Sequence, residues 1–199
     1  MPEKKTFLTD VNGYTFIELI TVMGIMLLLI VMGGNYIVNG FKSTKFESEQ
    51  STAIKNARDA MEAMVKEIRG AITSMMGSYC LASTSAQNLI FYSDIDNDYQ
   101  YEMIRYYLDP TINELKRVKT EPGTANNYLQ PGATTTIARY VNNQVEPIFQ
   151  YYNVNFATTS AINYIRLINI RLKINVTPWR APADTYVESS VQLRNLKDN

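Results

Sequence analysis

The reactive side chains of this sequence exclude several classes of catalytic and metal site. Its 199 residues include no histidine and a single cysteine, Cys80. The absence of histidine excludes imidazole general bases, Ser/His and Cys/His nucleophile pairs, and every zinc site with a histidine ligand. One cysteine forms neither an intramolecular disulfide nor a thiolate metal site, so Cys80 is expected to be a small buried apolar residue. No Ser/Lys or Asp/Glu pair has the spacing of a recognisable active site, and we therefore do not expect an enzyme.

One group of carboxylates has the types and spacing of a metal site. Asp94, Asp96 and Asp98 stand at alternate positions, which is how a calcium-binding loop begins. The match is incomplete, because Tyr99 occupies the position that needs glycine, although Glu102 could serve as a further ligand. The alternative is a polar hairpin turn, which Asp and Asn favour without any metal. Calcium is therefore one of two interpretations here, and no other cofactor is expected.

The charge balance argues against a nucleic-acid partner. The chain has nineteen Lys and Arg residues and nineteen Asp and Glu residues. The formal net charge is therefore zero, and no global field attracts a polyanion. Lys116, Arg117 and Lys119 form one compact basic cluster. We interpret it as the solvated face of a strand and expect no nucleic-acid binding.

An apolar segment near the N-terminus dominates the chain. From Leu19 to Phe41, between Glu18 and Lys42, there is no charged side chain. As a helix this run spans about 34 Å, enough to cross a hydrocarbon core of about 30 Å. A cleaved secretory signal has a shorter apolar core and a small-residue cleavage site, which is not found downstream. A simple anchor is the other interpretation, and the basic pair at residues 4 and 5 favours a cytoplasmic N-terminus.

Glu18 stands at the edge of this segment and allows two interpretations. Thr15 and Glu18 have the Ser/Thr-x-x-Glu spacing of a capping box, which places the carboxylate at the positive end of the helix dipole. The other interpretation is an intermolecular role, because a charged side chain at the bilayer centre costs about 2.5–3.5 kcal/mol and so needs a reason. The residue types alone leave both interpretations open.

Residues 13–19, with the apolar residues that follow, resemble the N-terminal motif of type IV pilins and pseudopilins. Residues 90–98, 104–108, 115–117 and 191–196 are similar to minor pilins and to J- or W-type pseudopilins. The resemblance implies that residues 1–13 are a leader, which a membrane prepilin peptidase removes after Gly13. It also implies that Tyr14 becomes a methylated N-terminus and that Glu18, then the fifth residue, is buried among neighbouring helices of a filament.

The remaining chain predicts a head built on a helix. Apolar residues at three- and four-residue steps over 42–77 indicate an amphipathic helix, continuous with the membrane segment 14–41, from about Tyr14 to Met76 with Gly77 as its stop. Residues 78–199 contain short β-rich runs separated by turns. The predicted fold is α+β, a long N-terminal helix packed on a mainly antiparallel β-sheet head, as in pilins. The predicted strands are 88–93, 101–108, 113–119, 136–141, 147–152, 164–176 and 185–194.

The resemblance implies a minor pilin or pseudopilin, a filament subunit of a type IV pilus, a type II secretion system or a DNA-uptake machine. Its expected partners are other subunits, prepilin peptidase and, before assembly, membrane lipid. It is expected to be a single-pass protein of the cytoplasmic or inner membrane with its head outside, and later part of a filament. The alternative is a membrane-anchored binding module, an adhesin or receptor, with its ligand surface after Thr120 or around residue 179.

Overall fold

A computed structural model describes residues 13–177 and 184–194. The chain divides into two compact units, Met1–Glu47 and Ser48–Asn199, and one helix, α1 (Phe16–Arg69), contributes residues to both. The predicted leader up to residue 12, the loop around residue 179 and residues 195 and 196 lie outside the described residues.

The first unit is an exposed apolar helix. Helix α1 is long and apolar enough to span a membrane, and none of its most apolar 18-residue window is buried by the described chain. Leu28 and Met32, for example, are 65% and 70% exposed. Contiguous apolar surface of this kind is unfavourable in water and requires an apolar environment. The described chain itself does not supply that environment.

The second unit contains two antiparallel sheets. The larger sheet consists of β1 (Leu81–Thr84), β2 (Asn88–Ser93), β3 (Glu102–Asp109), β4 (Glu114–Thr120) and β5 (Ala133–Arg139), and the smaller of β6 (Phe149–Tyr152), β7 (Leu167–Ile174) and β8 (Thr185–Gln192). In each sheet the strands lie side by side in chain order. A short 3-10 helix, Ile162–Tyr164, precedes β7.

The α+β class is confirmed, with a long apolar N-terminal helix packed against antiparallel sheets. Each predicted strand has a counterpart whose ends lie within about three residues of those expected. In β7 the alternation is as predicted, since Ile168, Ile170, Leu172 and Ile174 are fully buried. Strand β1 was not predicted, because its four residues, two of them Ser and Thr, show no apolar alternation.

Helix α1 ends earlier than the sequence predicts, at Arg69 and not near Met76. Gly70 closes the last turn with hydrogen bonds to the carbonyls of residues 66 and 67. Immediately afterwards the N–H of Ile72 donates to the carbonyl of Tyr92 in β2, at 2.9 Å. The prediction was wrong because this long-range pairing takes the backbone out of the helix, although the apolar spacing continues.

Gly77 marks a separate turn after the helix. Its φ of +77° lies in the left-handed region that glycine adopts readily. Its N–H donates to the carbonyl of Ser74 at 2.8 Å, and the Ser74 hydroxyl accepts from the N–H of Ser78 at 2.9 Å. The glycine is thus required by a tight turn and does not end α1.

The head-facing part of α1 supplies one face of the core. Ala57, Met61, Met64 and Ile68 belong to the same buried cluster as residues from both sheets. Their three- and four-residue spacing confirms the amphipathic stripe. The stripe is therefore core packing, worth about 1.5–3 kcal/mol for each large side chain that it removes from water.

A partly buried polar contact links α1 to the larger sheet. Arg117 in β4 approaches both carboxylate oxygens of Glu67, with Nε–Oε2 and Nη2–Oε1 distances of 3.0 Å. The hydroxyl of Tyr106 in β3 donates to Glu67 Oε2. Burial, and then the neighbouring Glu67 charge, raise the pKa of Tyr106 well above its ordinary value. Tyr106 therefore remains a hydroxyl donor to the carboxylate.

Replacing Glu67 should destabilise the head strongly. Glu67→Ala leaves the buried Tyr106 hydroxyl and the partly exposed Arg117 guanidinium without their carboxylate, so we expect the free energy of unfolding to fall by about 1–3 kcal/mol. Urea unfolding of the full chain in detergent micelles measures this change. Glu62→Ala, at an exposed position on the same helix, is the matched control and should change it by less than about 0.5 kcal/mol. Equal effects of the two substitutions would contradict the assignment.

Candidate functional site

The beginning of α1 forms a complete capping box. The N–H and hydroxyl of Thr15 donate to Glu18 Oε2 at 2.9 and 3.0 Å. In return, the N–H of Glu18 donates to the Thr15 hydroxyl at 3.3 Å. These reciprocal bonds satisfy amides that the helix leaves unpaired. The capping interpretation of Glu18 therefore has the geometry it needs, and it involves only one of the two carboxylate oxygens.

The residues around the expected cleavage point are accessible. Gly13 and Tyr14 precede the helix and are exposed, Tyr14 to 92%. Glu18 Oε1 accepts no hydrogen bond from the residues that the structure describes. The arrangement leaves the bond between residues 13 and 14 open to an enzyme and one oxygen of Glu18 open to a second partner. Both Thr15 and Glu18 would remain in a chain that begins at Tyr14.

The loop between β2 and β3 brings three carboxylates together. One oxygen from each of Asp94, Asp96 and Glu102 lies within 4.8 Å of the others. Asp98 is not part of this group, because its carboxylate accepts from the N–H and the side-chain amide of Gln100 at 2.8 and 3.2 Å. The alternating Asp signal thus located the cluster, but Glu102, at the start of β3, takes the place expected for Asp98.

A lysine from β4 forms ion pairs with this acidic cluster. Lys119 Nζ lies 2.9 Å from Asp96 Oδ2, 3.1 Å from Glu102 Oε1 and 2.8 Å from Glu121 Oε1. Glu102 is fully buried, and its other oxygen accepts from the N–H of Ile95 at 3.0 Å. The ammonium group therefore compensates a carboxylate that burial would otherwise make unfavourable.

The protonation of the cluster follows from these contacts. Burial raises the pKa of Glu102, while the Ile95 N–H and the Lys119 ammonium oppose that shift. Although burial opposes it, hydrogen bonding to Glu121, Asp96 and Glu102 holds the pKa of Lys119 above its ordinary value. Hydrogen bonding from Lys119 lowers the pKa of Asp96. Lys119 is consequently a permanent cation at neutral pH.

The arrangement fits a lysine better than a calcium ion. Calcium takes six to eight oxygen ligands at about 2.3–2.6 Å, so it would have to displace the Lys119 ammonium from between Asp96 and Glu102. Asp94 Oδ1 is buried without a hydrogen-bond partner in the described chain and is the oxygen that an ion could reach without breaking a contact. Calcium binding at this loop stays a prediction.

The basic cluster is built into ion pairs. Lys116 Nζ lies 2.7 Å from Asp109 Oδ2, and Arg117 and Lys119 are paired as described above. The three side chains are only 18–22% exposed. The interpretation of this cluster as a solvated strand face was therefore wrong, because each of the three cations is ion-paired with a carboxylate and is less than a quarter exposed.

Comparison with known proteins identifies no relative of this chain. No protein-family model, no curated protein and no solved structure matches this chain.

The charge of Lys119 should determine whether calcium raises the unfolding temperature of the chain. We expect millimolar Ca²⁺ to leave the unfolding temperature of the native chain unchanged, because the ammonium holds the carboxylates. In Lys119→Met the charge is gone, and Ca²⁺ should raise the unfolding temperature by about 3 °C or more, reversibly with a chelator. Lys116→Met, on the same strand, is the control and should gain no response. A calcium response of the native chain would show that the ion displaces Lys119.

Proposed function

We propose that this protein is a minor pilin or pseudopilin, a structural and non-enzymatic subunit of a type IV pilus or a type II secretion-like filament. The observation that supports this most directly is the uncovered apolar stretch of α1, Leu19–Phe41, directly after an exposed Gly13–Tyr14 bond and a capped Glu18. Exposed apolar surface of this extent marks a membrane or a protein interface. A filament subunit of this kind needs both in succession.

The apolar stretch can serve in two environments without changing its conformation. Each large side chain gains about 1.5–3 kcal/mol when it leaves water, whether lipid tails or neighbouring helices cover it. In the bilayer the stretch anchors the subunit and keeps the head on the outer side. In a filament the same side chains pack against those of other subunits. Because both states bury the same surface, extraction from the membrane requires little net loss of apolar burial.

Glu18 would set the register in the filament. Away from water its carboxylate is costly unless a cation compensates it. Oε2 is occupied by the capping box, and Oε1 remains for the N-terminal ammonium of Tyr14 in a neighbouring subunit. The ammonium exists only after cleavage at Gly13, so processing would create the partner that makes burial of Glu18 acceptable.

The mass of the N-terminus tests the pathway. We expect protein extracted from membranes to begin at methylated Tyr14 only when prepilin peptidase is present. Gly13→Val, with a branched side chain at the cleavage point, should remain uncut, whereas the control Gly24→Val, inside α1, should be processed normally. A chain that begins near residue 1 under both conditions would make α1 a simple anchor and favour the membrane-anchored binding module.

Substitutions of Glu18 separate its capping role from its charge. Glu18→Ala should be processed normally but recovered in sheared filaments at least about tenfold less, because the neighbour's ammonium is left unpaired. Glu18→Gln keeps a capping oxygen and loses the charge, since glutamine also forms a capping box. We expect the two variants to fail alike. Normal incorporation of Glu18→Gln would assign Glu18 to the cap alone.

A further inference from the structure

The last strand, β8, forms one edge of the smaller sheet. It pairs with β7 along its whole length, and no other strand of the described chain pairs with it. In an antiparallel pair, successive residues direct their N–H and carbonyl groups alternately toward and away from the partner strand. The register of β7 therefore decides which groups of β8 are directed to the outer edge.

The hydrogen bonds of β7 on its other side fix this alternation. The N–H of Arg171 donates to the carbonyl of Ile148, just before β6, at 2.9 Å. Arg171 thus directs its groups away from β8, and Asn169 and Lys173, two residues before and after it, do the same. Residues opposite each other in such a pair both turn their groups outward, so their partners in β8 are directed to the outer edge.

Three residues of β8 thus present unpaired backbone groups at this edge. They lie opposite Lys173, Arg171 and Asn169, and they are Tyr186, Glu188 and Ser190. Their N–H and carbonyl groups have no hydrogen-bond partner among the described residues. The edge is therefore free over at least five consecutive positions.

A groove of about 280 Å³ lies between β8 and α1. One residue of β8 and five residues of α1 line it: Ser189, Met61, Glu62, Val65, Lys66 and Arg69. No residue of β7 contributes, so the groove opens at the outer side of β8. A strand added to the edge would direct every second side chain toward this groove.

The lining of the groove indicates the chemistry of such a strand. Met61 and Val65 offer apolar contacts. Lys66 and Arg69 are exposed and form no ion pair within the described chain, and Glu62 is the one acidic residue of the lining. The groove therefore has an excess of one positive charge. Apolar side chains on either side of a carboxylate complement it.

A second copy of this chain fits the groove less well. If its β8 paired along the same edge, the side chains facing the groove would be those of Val187, Ser189 and Val191. None of them carries a carboxylate for Lys66 or Arg69. The charge of the groove thus favours a different protein as the occupant.

We propose that β8 and this groove bind an extended segment of a partner protein, in which apolar side chains and one acidic side chain face α1. Strand addition at a free sheet edge is a common mode of peptide recognition, with backbone hydrogen bonds for affinity and side-chain pockets for selectivity. The head then has a protein interface separate from assembly through the apolar stretch of α1. This inference does not depend on cleavage at Gly13.

Amide hydrogen exchange of the full chain in detergent micelles tests the proposal. The probe is a capped heptapeptide, Thr-Val-Thr-Asp-Thr-Val-Thr, which reads the same in both directions. Its control is the same peptide methylated on every backbone nitrogen. We expect the probe to slow exchange of the Glu188 and Ser190 N–H groups at least about tenfold and the methylated peptide to leave it unchanged. Equal protection by both peptides, or none by either at millimolar concentration, would overturn the proposal.

The charge of Lys66 tests the acidic side chain of the segment. Lys66→Glu should weaken binding of the probe about threefold and strengthen binding of the peptide with lysine in place of aspartate by a similar factor. Lys55→Glu, at an exposed position on the same helix but outside the groove, is the control and should change neither. Equal effects of the two substitutions, or no effect of either, would overturn the proposal.

Ser190→Pro tests the edge itself. Proline removes an N–H that faces away from β7, so the pairing of β8 with β7 can persist, and slow exchange of the Val187 N–H shows that it does. The probe should then no longer protect Glu188. Continued protection would place the peptide elsewhere and overturn the proposal.

Two measurements without peptide examine the competing occupants. We expect the Ser190 N–H to exchange fast in the full chain and in a chain truncated after residue 194. If it is slow and truncation makes it fast, the groove belongs to the chain's own C-terminus and not to a partner. If its protection increases with protein concentration, the edge belongs to a second copy.

Discussion

The head depends on the packing of one helix face against two sheets. The larger and smaller sheets are separate ladders, and Val141, just after β5, forms an isolated bridge with Ile174 of β7. Met64 and Ile68 of α1 lie in the buried cluster to which both sheets contribute. Without the helix the buried residues of both sheets would lose part of their cover, so the head-facing part of α1 belongs to the core. The ion pair between Glu67 and Arg117 also orients α1 relative to the larger sheet.

Much of this architecture was predictable because it depends on local periodicity. The alternation in β7 and the stripe through Ala57, Met61 and Met64 report which faces are buried, whatever they pack against. The end of α1 was not predictable, since the backbone of Ile72 is captured by Tyr92, twenty residues later in the chain. Strand β1 escaped detection for a similar reason, because only its pairing with β2 makes it a strand.

The candidate sites also differ in whether they depend on local or on long-range contacts. The capping box at Thr15 and Glu18 is local and was visible in the sequence, whereas the role of Lys119 depends on the register that brings β4 beside Glu102.

The short connection between α1 and the larger sheet has a mechanical consequence. Only Gly70 and Ala71 separate the last helical residue, Arg69, from the hydrogen bond between Ile72 and Tyr92. A tensile force along the helix therefore reaches β2 without first extending a slack linker. Since β2 is hydrogen-bonded to strands on both sides, that load passes to its neighbours β1 and β3 as well.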